Sequence, residues 1–155
     1  MSTYTLVHVL ISLAAIVSGL VVLWGLLKSE RMDGMTMVFL VMTAATNFTG
    51  FGFPFNGVTP GIKLGIISSV VLVIALLARY AFHLRGAWRW IYAVSAVALL
   101  YFNVFVLIAQ LFQKLPALHA LAPTGSEPPF AIAQGVVLVL FLVAMVMAGR
   151  RFRPR

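Results

Sequence analysis

Acidic side chains are nearly missing from this chain: Glu30, Asp33 and Glu127 are the only three in 155 residues, and cysteine is missing altogether. Without cysteine there is no disulfide, thiolate metal site, iron–sulfur cluster or thiol-redox chemistry. With three scattered acids there is no paired-carboxylate arrangement. None of them falls within an apolar run, which disfavours an ion-coupled pump or antiporter, since such proteins normally keep an acid inside the membrane. Charge as a whole is scarce, at 9% of residues against about 25% in a soluble domain, so too little polar surface exists to face water. A phosphate-binding glycine loop, a nucleophile elbow, an internal repeat and a low-complexity linker are all missing as well.

What the chain has instead is apolar length. Hydrophobic residues make up 63% of it and mean hydropathy is +1.09. The apolar runs fall near 5–27, 35–54, 61–82, 88–112 and 130–148. Each is long enough, at roughly 1.5 Å per residue, to cross a hydrocarbon layer of about 30 Å. The expectation is an all-α integral membrane protein, one transmembrane domain over residues 1–155 with five spans. The first run has no positive segment ahead of it and continues to Leu27 before any charge, so it reads as a span rather than a cleaved signal peptide. Pro54 closes the second run, while Thr59-Pro60 and Pro128-Pro129 stand where an N-cap and first helical turn belong.

The second run is the least apolar, with Thr43, Thr46, Asn47, Thr49, Gly50 and Gly52. Basic residues test it, because they gather on the cytoplasmic side. Five spans put Lys28, Arg31, Arg79, Arg85, Arg89, Arg150, Arg151, Arg153 and Arg155 on one side and Lys63 and Lys114 on the other, nine against two. A second run that only dipped into the membrane would give seven against four. Five spans are therefore expected, with the N-terminus outside and the C-terminus cytoplasmic. The net charge of +8 and pI near 11.0 report this topology and imply no nucleic-acid partner. Trp24, Trp88, Trp90, Tyr80 and Tyr92 fall at the inner boundary, where amphipathic rings settle. The longest loop, Lys114 to Pro129, is external and holds four prolines. Its segment 116–122 has leucines spaced three apart with Leu115 and reads as a short interfacial helix.

Polar residues inside a membrane are costly, so their positions carry the functional information. Thr43, Thr46, Asn47 and Gly50 share one face of the second span by their i, i+3, i+4, i+7 spacing. Asn103 and Gln110 share a face of the fourth, with Gln113 close by. Gln134 lies on the fifth span, and His8 stands above Ser12, Ala15 and Gly19 on the first. By helical rise, His8 and Gln134 lie about one turn below the outer surface, with Asn47 and Asn103 deeper. The outer half thus collects amide and imidazole groups, and the inner half reads as almost purely aliphatic. Two accounts stay open: hydrogen bonds between packed helices, aided by small residues such as Gly61, Gly65 and Ser69 on the third span, or a polar pocket open to the outside. Phe48, Phe51, Phe53 and Phe55 either form an outer aromatic belt or line an apolar ligand site.

His8 and His83 lie at opposite faces and cannot share a haem. His119, in the external loop, leaves at most one uncertain pairing with His8, short of a zinc set. His8 is expected to be structural, its ring entering the helix interface near the loop that carries Glu127. No cofactor is implied. Catalysis by His8 with Glu127 is the weakest of the readings. The basic C-terminal stretch anchors topology or meets anionic lipid.

Three stretches, TNFTGFGFPF at 46–55, GAWRWIY at 86–92 and LAPTGSEPPF at 121–130, resemble a pattern in small bacterial inner-membrane proteins of unknown function. The resemblance implies a bacterial inner-membrane location and assigns no site residue. In size and span number alone the chain is also similar to the translocator-protein (tryptophan-rich sensory protein) family, whose tryptophan-rich motifs are not matched. The functional expectation is a non-enzymatic membrane protein that binds a small lipophilic or amphipathic molecule, a lipid, quinone or pigment, in its outer half. The candidate ligand-binding residues are His8, Asn47, Phe51, Asn103, Gln110 and Gln134. The alternatives are an accessory subunit packed against a larger membrane complex or its own copies, and third a transporter of a neutral solute.

Overall fold

In a computed structural model the chain is described at residues 2–54 and 57–154. Phe55 and Arg155, both used in the sequence reading, lie outside the described residues. Among the described residues the fold is all-helical, without a strand. Five helices are long and apolar enough to cross a membrane: α1 (Thr3–Leu27), α2 (Asp33–Phe51), α3 (Pro60–Leu76, continued by a π turn over Leu77–Ala81), α4 (Trp88–Lys114) and α6 (Pro128–Arg151). Between the last two, Pro116–Leu121 forms the short helix α5, as the leucine spacing predicts.

Local chemistry sets the ends. Ser2 caps α1 by accepting from the Thr5 amide, and Thr59 caps α3 by accepting from Ile62 at 3.2 Å, with Pro60 in the first turn. Pro128 and Pro129 open α6, where a missing amide proton costs nothing. Helix α2 stops at Phe51, three residues before Pro54. Gly52 favours the end, and the residue before a proline is pushed out of helical geometry.

The helices alternate in direction. Tyr4 of α1 meets Thr49 near the end of α2, and Phe112 near the end of α4 meets Phe130 at the start of α6. These contacts define one end of the bundle, called here the His8 end. The opposite Arg79 end is tied by bonds from Arg79 to the Arg31 carbonyl, from Arg89 to the carbonyls of Gly149 and Phe152, and from the Arg153 amide to Ser29.

Helix α4 is the hub. It packs on α1, α3, α5 and α6 and buries Tyr92, Ala93, Ser95, Ala96, Val97, Leu99, Leu100, Asn103 and Phe112. Helix α6 fully buries only Gln134 and Ala148. Close approach depends on glycine where α1, α2 and α4 meet: a Cβ on Gly19 would stand 2.6 Å from Leu100 Cδ1 and 2.8 Å from Phe39 Cε1.

Two readings of the inner half need correction. It is not purely aliphatic, because the buried set there includes Thr36 and Arg79. Tyr92 is no interfacial ring either: it has no exposed surface and lies between the Arg79 guanidinium and the Phe152 ring. Trp24, Tyr80 and Trp90 are exposed. Arg79 follows Ser68, Leu72 and Ala75 at helical spacing and so continues the buried face of α3.

Candidate functional site

The His8 end carries most of the polar side chains singled out in the sequence, distributed over several helix contacts. His8, half-buried on α1, meets α2: its Nδ1 is 2.6 Å from Thr49 Oγ1. The tautomer follows from the Thr49 hydroxyl, whose single proton goes to the Ala45 carbonyl at 2.7 Å. Thr49 therefore accepts from His8, and Nδ1 carries the hydrogen. The imidazole also stands edge-on to Phe53, at 5.1 Å between ring centres, and Tyr4 donates to the Thr49 carbonyl at 2.6 Å. Gly52 admits that tyrosine, since a Cβ there would fall 2.0 Å from its hydroxyl.

His8 enters the α1–α2 interface as expected of a structural histidine, and among the described residues it forms no ion pair with Glu127. Glu127 folds onto its own loop instead, accepting from the Thr124 hydroxyl at 2.6 Å and from the amides of Thr124 and Ser126. These bonds, the Thr124 hydroxyl first, hold its carboxyl below its ordinary pKa.

Asn47, half-buried on α2, donates to the hydroxyls of Ser68 and Ser69 on α3, at 3.2 and 3.4 Å. Asn103, buried on α4, donates to Thr43 on α2 at 3.4 Å. Gln134, buried on α6, donates to the Phe105 carbonyl on α4 at 3.1 Å, and its Oε1 is buried without a partner. Gln110 and Phe51 are exposed, and the Phe51 ring rests against Gly65, 3.1 Å from where a Cβ would stand. The polar groups thus stitch α1 to α2, α2 to α3, α2 to α4 and α4 to α6 in turn.

The cavity at this end lies beside these residues. A cleft of about 330 Å³ opens between the last turns of α4, helix α5 and the start of α6. Phe112 and Phe130 meet edge-to-face there, 5.4 Å apart, and give it an apolar wall. Gln113, His119 and Thr124 supply polar groups, and Ala109 and Ala122 leave the room. None of the six candidate residues lines it; Gln110 follows Ala109 directly, and Gln134 is one turn along α6 from Phe130. Sequence reasoning did not single out Phe112, His119 and Phe130 as one set. They come together because α5 folds the loop back over the end of α4; the leucine spacing showed the short helix but not where it packs.

Among the described residues no group of three or more histidine and acidic side chains could hold a metal ion. Neither a known protein family, nor a curated protein, nor a solved structure matches the chain.

Proposed function

We propose that this chain is a non-enzymatic multi-pass protein of the bacterial inner membrane that takes a small amphipathic molecule, such as a lipid, quinone or pigment, into the cleft at its His8 end. The observation that carries the reading is the cleft itself. Its volume of about 330 Å³ is at the lower end of the roughly 300–1,000 Å³ of small-molecule sites, and it joins aromatic walls to a few polar groups in the way such sites do. An apolar body would stack against Phe112 and Phe130, while the Gln113 amide donates to a carbonyl or hydroxyl. The nine-to-two division of basic residues supports an orientation with this end outside.

The test is mass spectrometry of what copurifies with the protein in mild detergent, on the parent and on Ala109→Phe, whose ring would fill the cleft. The parent is expected to retain a small molecule in near-stoichiometric amount and the variant to lose most of it. Equal retention by both, or no bound molecule in the parent, overturns the reading.

Helix α6 supports a second reading, an accessory subunit of a larger complex or a homo-oligomer. Ile132, Val136, Val139, Leu140, Val143 and Val146 are all more than half exposed along it, and either lipid or another helix can cover such a ridge.

A further inference from the structure

The middle of α4 carries a polar side chain that the rest of the bundle leaves alone. Tyr101 stands as far from Trp88 as from Lys114, and at 1.5 Å per residue each end of the helix is roughly 20 Å away. That is the centre of the bilayer, and a tyrosine side chain is too short to carry its hydroxyl to either interface. The ring is half-buried at the seam of α4 and α6, its centre 6.1 Å from that of Phe105 and 5.5 Å from that of Phe141. Among the described residues nothing bonds to the hydroxyl. The bundle does not enclose it as it encloses the Tyr92 hydroxyl, so it reaches the surface that faces lipid.

Other hydroxyls within the spans meet the same difficulty locally. Ser12, Ser18, Thr46 and Ser69 return their protons to carbonyls about one turn back on their own helices. A tyrosine has no such option, because its ring holds the oxygen away from the backbone. Lipid offers no substitute: acyl chains bring no polar atom to this depth, and water is absent there. A hydroxyl left in hydrocarbon without a partner is costly, so whatever covers Tyr101 has to bring a polar group to the bilayer centre. The α6 side of the seam leaves room for it. Leu138 and Leu142, flanking Phe141 along that helix, are both exposed.

We infer that this seam is the contact between two copies of the chain, in which the Tyr101 hydroxyl of one copy bonds to that of the other. A two-fold axis along the bilayer normal keeps every residue at its own depth, so it sets the two tyrosines opposite each other. The pair is self-complementary, because a phenol hydroxyl both donates and accepts. A different protein would need a matching group at that one depth, whereas a second copy always supplies it. The contact is separate from the cleft and does not depend on a ligand there. It is also distinct from the outer ridge of α6, where Val139 is 60% exposed.

The test is energy transfer between copies of the full chain in phosphatidylcholine vesicles, with donor and acceptor dyes on Ser126→Cys, an exposed position. The parent should show transfer above that of randomly placed monomers, rising linearly with the acceptor fraction as a dimer requires and falling as lipid dilutes the protein. Tyr101→Phe keeps the ring against Phe105 and Phe141 and removes only the hydroxyl. Its dissociation constant should rise about threefold or more, the change that an average interhelical hydrogen bond in a membrane represents. Its thermal midpoint, measured in detergent at a dilution where the parent is monomeric, should equal that of the parent. Val139→Ala should associate as the parent does. Transfer no greater than random, or a Tyr101→Phe variant that associates as tightly as the parent, overturns the inference. So does a Val139→Ala variant weakened as much as Tyr101→Phe, which would put the contact on the outer ridge.

Discussion

A methyl group added to Gly19 has no free space to occupy. Leu100 of α4 and Phe39 of α2 both stand within 3 Å of where the new carbon would be, and both are buried core residues. Gly19→Ala is therefore expected to destabilise the bundle by about 1–3 kcal/mol, the usual cost of overpacking. Gly34, in the first turn of α2, has nothing within 4 Å, so Gly34→Ala should be neutral or stabilising by about 0.5–1 kcal/mol through helix propensity alone. Reversible unfolding in mixed micelles separates the two, and equal effects would remove the close-packing argument. Asn103 makes a weaker case of the same kind. Its 3.4 Å bond to Thr43 is an interhelical contact of the class that averages about 0.6 kcal/mol in membranes. Asn103→Leu should lower stability by about that much in the same assay, and a loss of several kcal/mol would show that this amide does more than join two helices.

At the scale of elements, the connection from α5 to α6 is organised by one carboxylate. Glu127 precedes Pro128 and accepts from Thr124 and Ser126, closing the turn that forms one rim of the cleft. Its folded pKa lies below the ordinary value, so the turn is fully held above the usual carboxylate range of about 4.3. That hold is lost as pH falls through the lower folded value. The amide resonances of Thr124 and Ser126 should accordingly titrate together with a midpoint below that range, and Glu127→Gln should abolish the titration. A midpoint at or above the ordinary value would mean that the carboxylate is not engaged. Helix α6 beyond this turn is attached to the rest by few polar links, chiefly Gln134 on the Phe105 carbonyl and Arg89 on the carbonyls of Gly149 and Phe152.

For the whole molecule, the proposed orientation yields a prediction for which a chain without cysteine is well suited. Single cysteines at Ser126 and Glu30, both exposed, should react with an impermeant thiol reagent from outside and from the cytoplasm respectively; labelling of both from one side would remove the orientation. Much of the architecture was legible without coordinates. Runs of some 20 apolar residues fix the number of helices through bilayer thickness, and prolines with a threonine cap fix several ends. Which face of each helix packs inward was far less legible. In lipid both faces of a helix are apolar, so α3 and α6 show no stripe that separates core from surface. The polar candidates were placed on the right helices, but their partners depended on contacts between distant segments, such as Asn103 with Thr43. Arg79 was read as a boundary charge from its place at the end of an apolar run, although it lies at helical spacing from Ser68, Leu72 and Ala75 and shares their buried face.

The central position of α4 has a consequence for how the protein is made. Spans enter the bilayer in chain order, so α1, α2 and α3 are inserted before the helix against which α1 and α3 pack exists. Until it arrives, Gly19 faces an incomplete pocket, and the Arg79 guanidinium lacks the tyrosine ring that covers it. The first three helices must therefore persist as a loose group, open to early degradation by membrane proteases. A ribosome stalled before Trp88 emerges should leave a protease-sensitive fragment, whereas one stalled after Lys114 has cleared the exit tunnel should leave a resistant one even without α6.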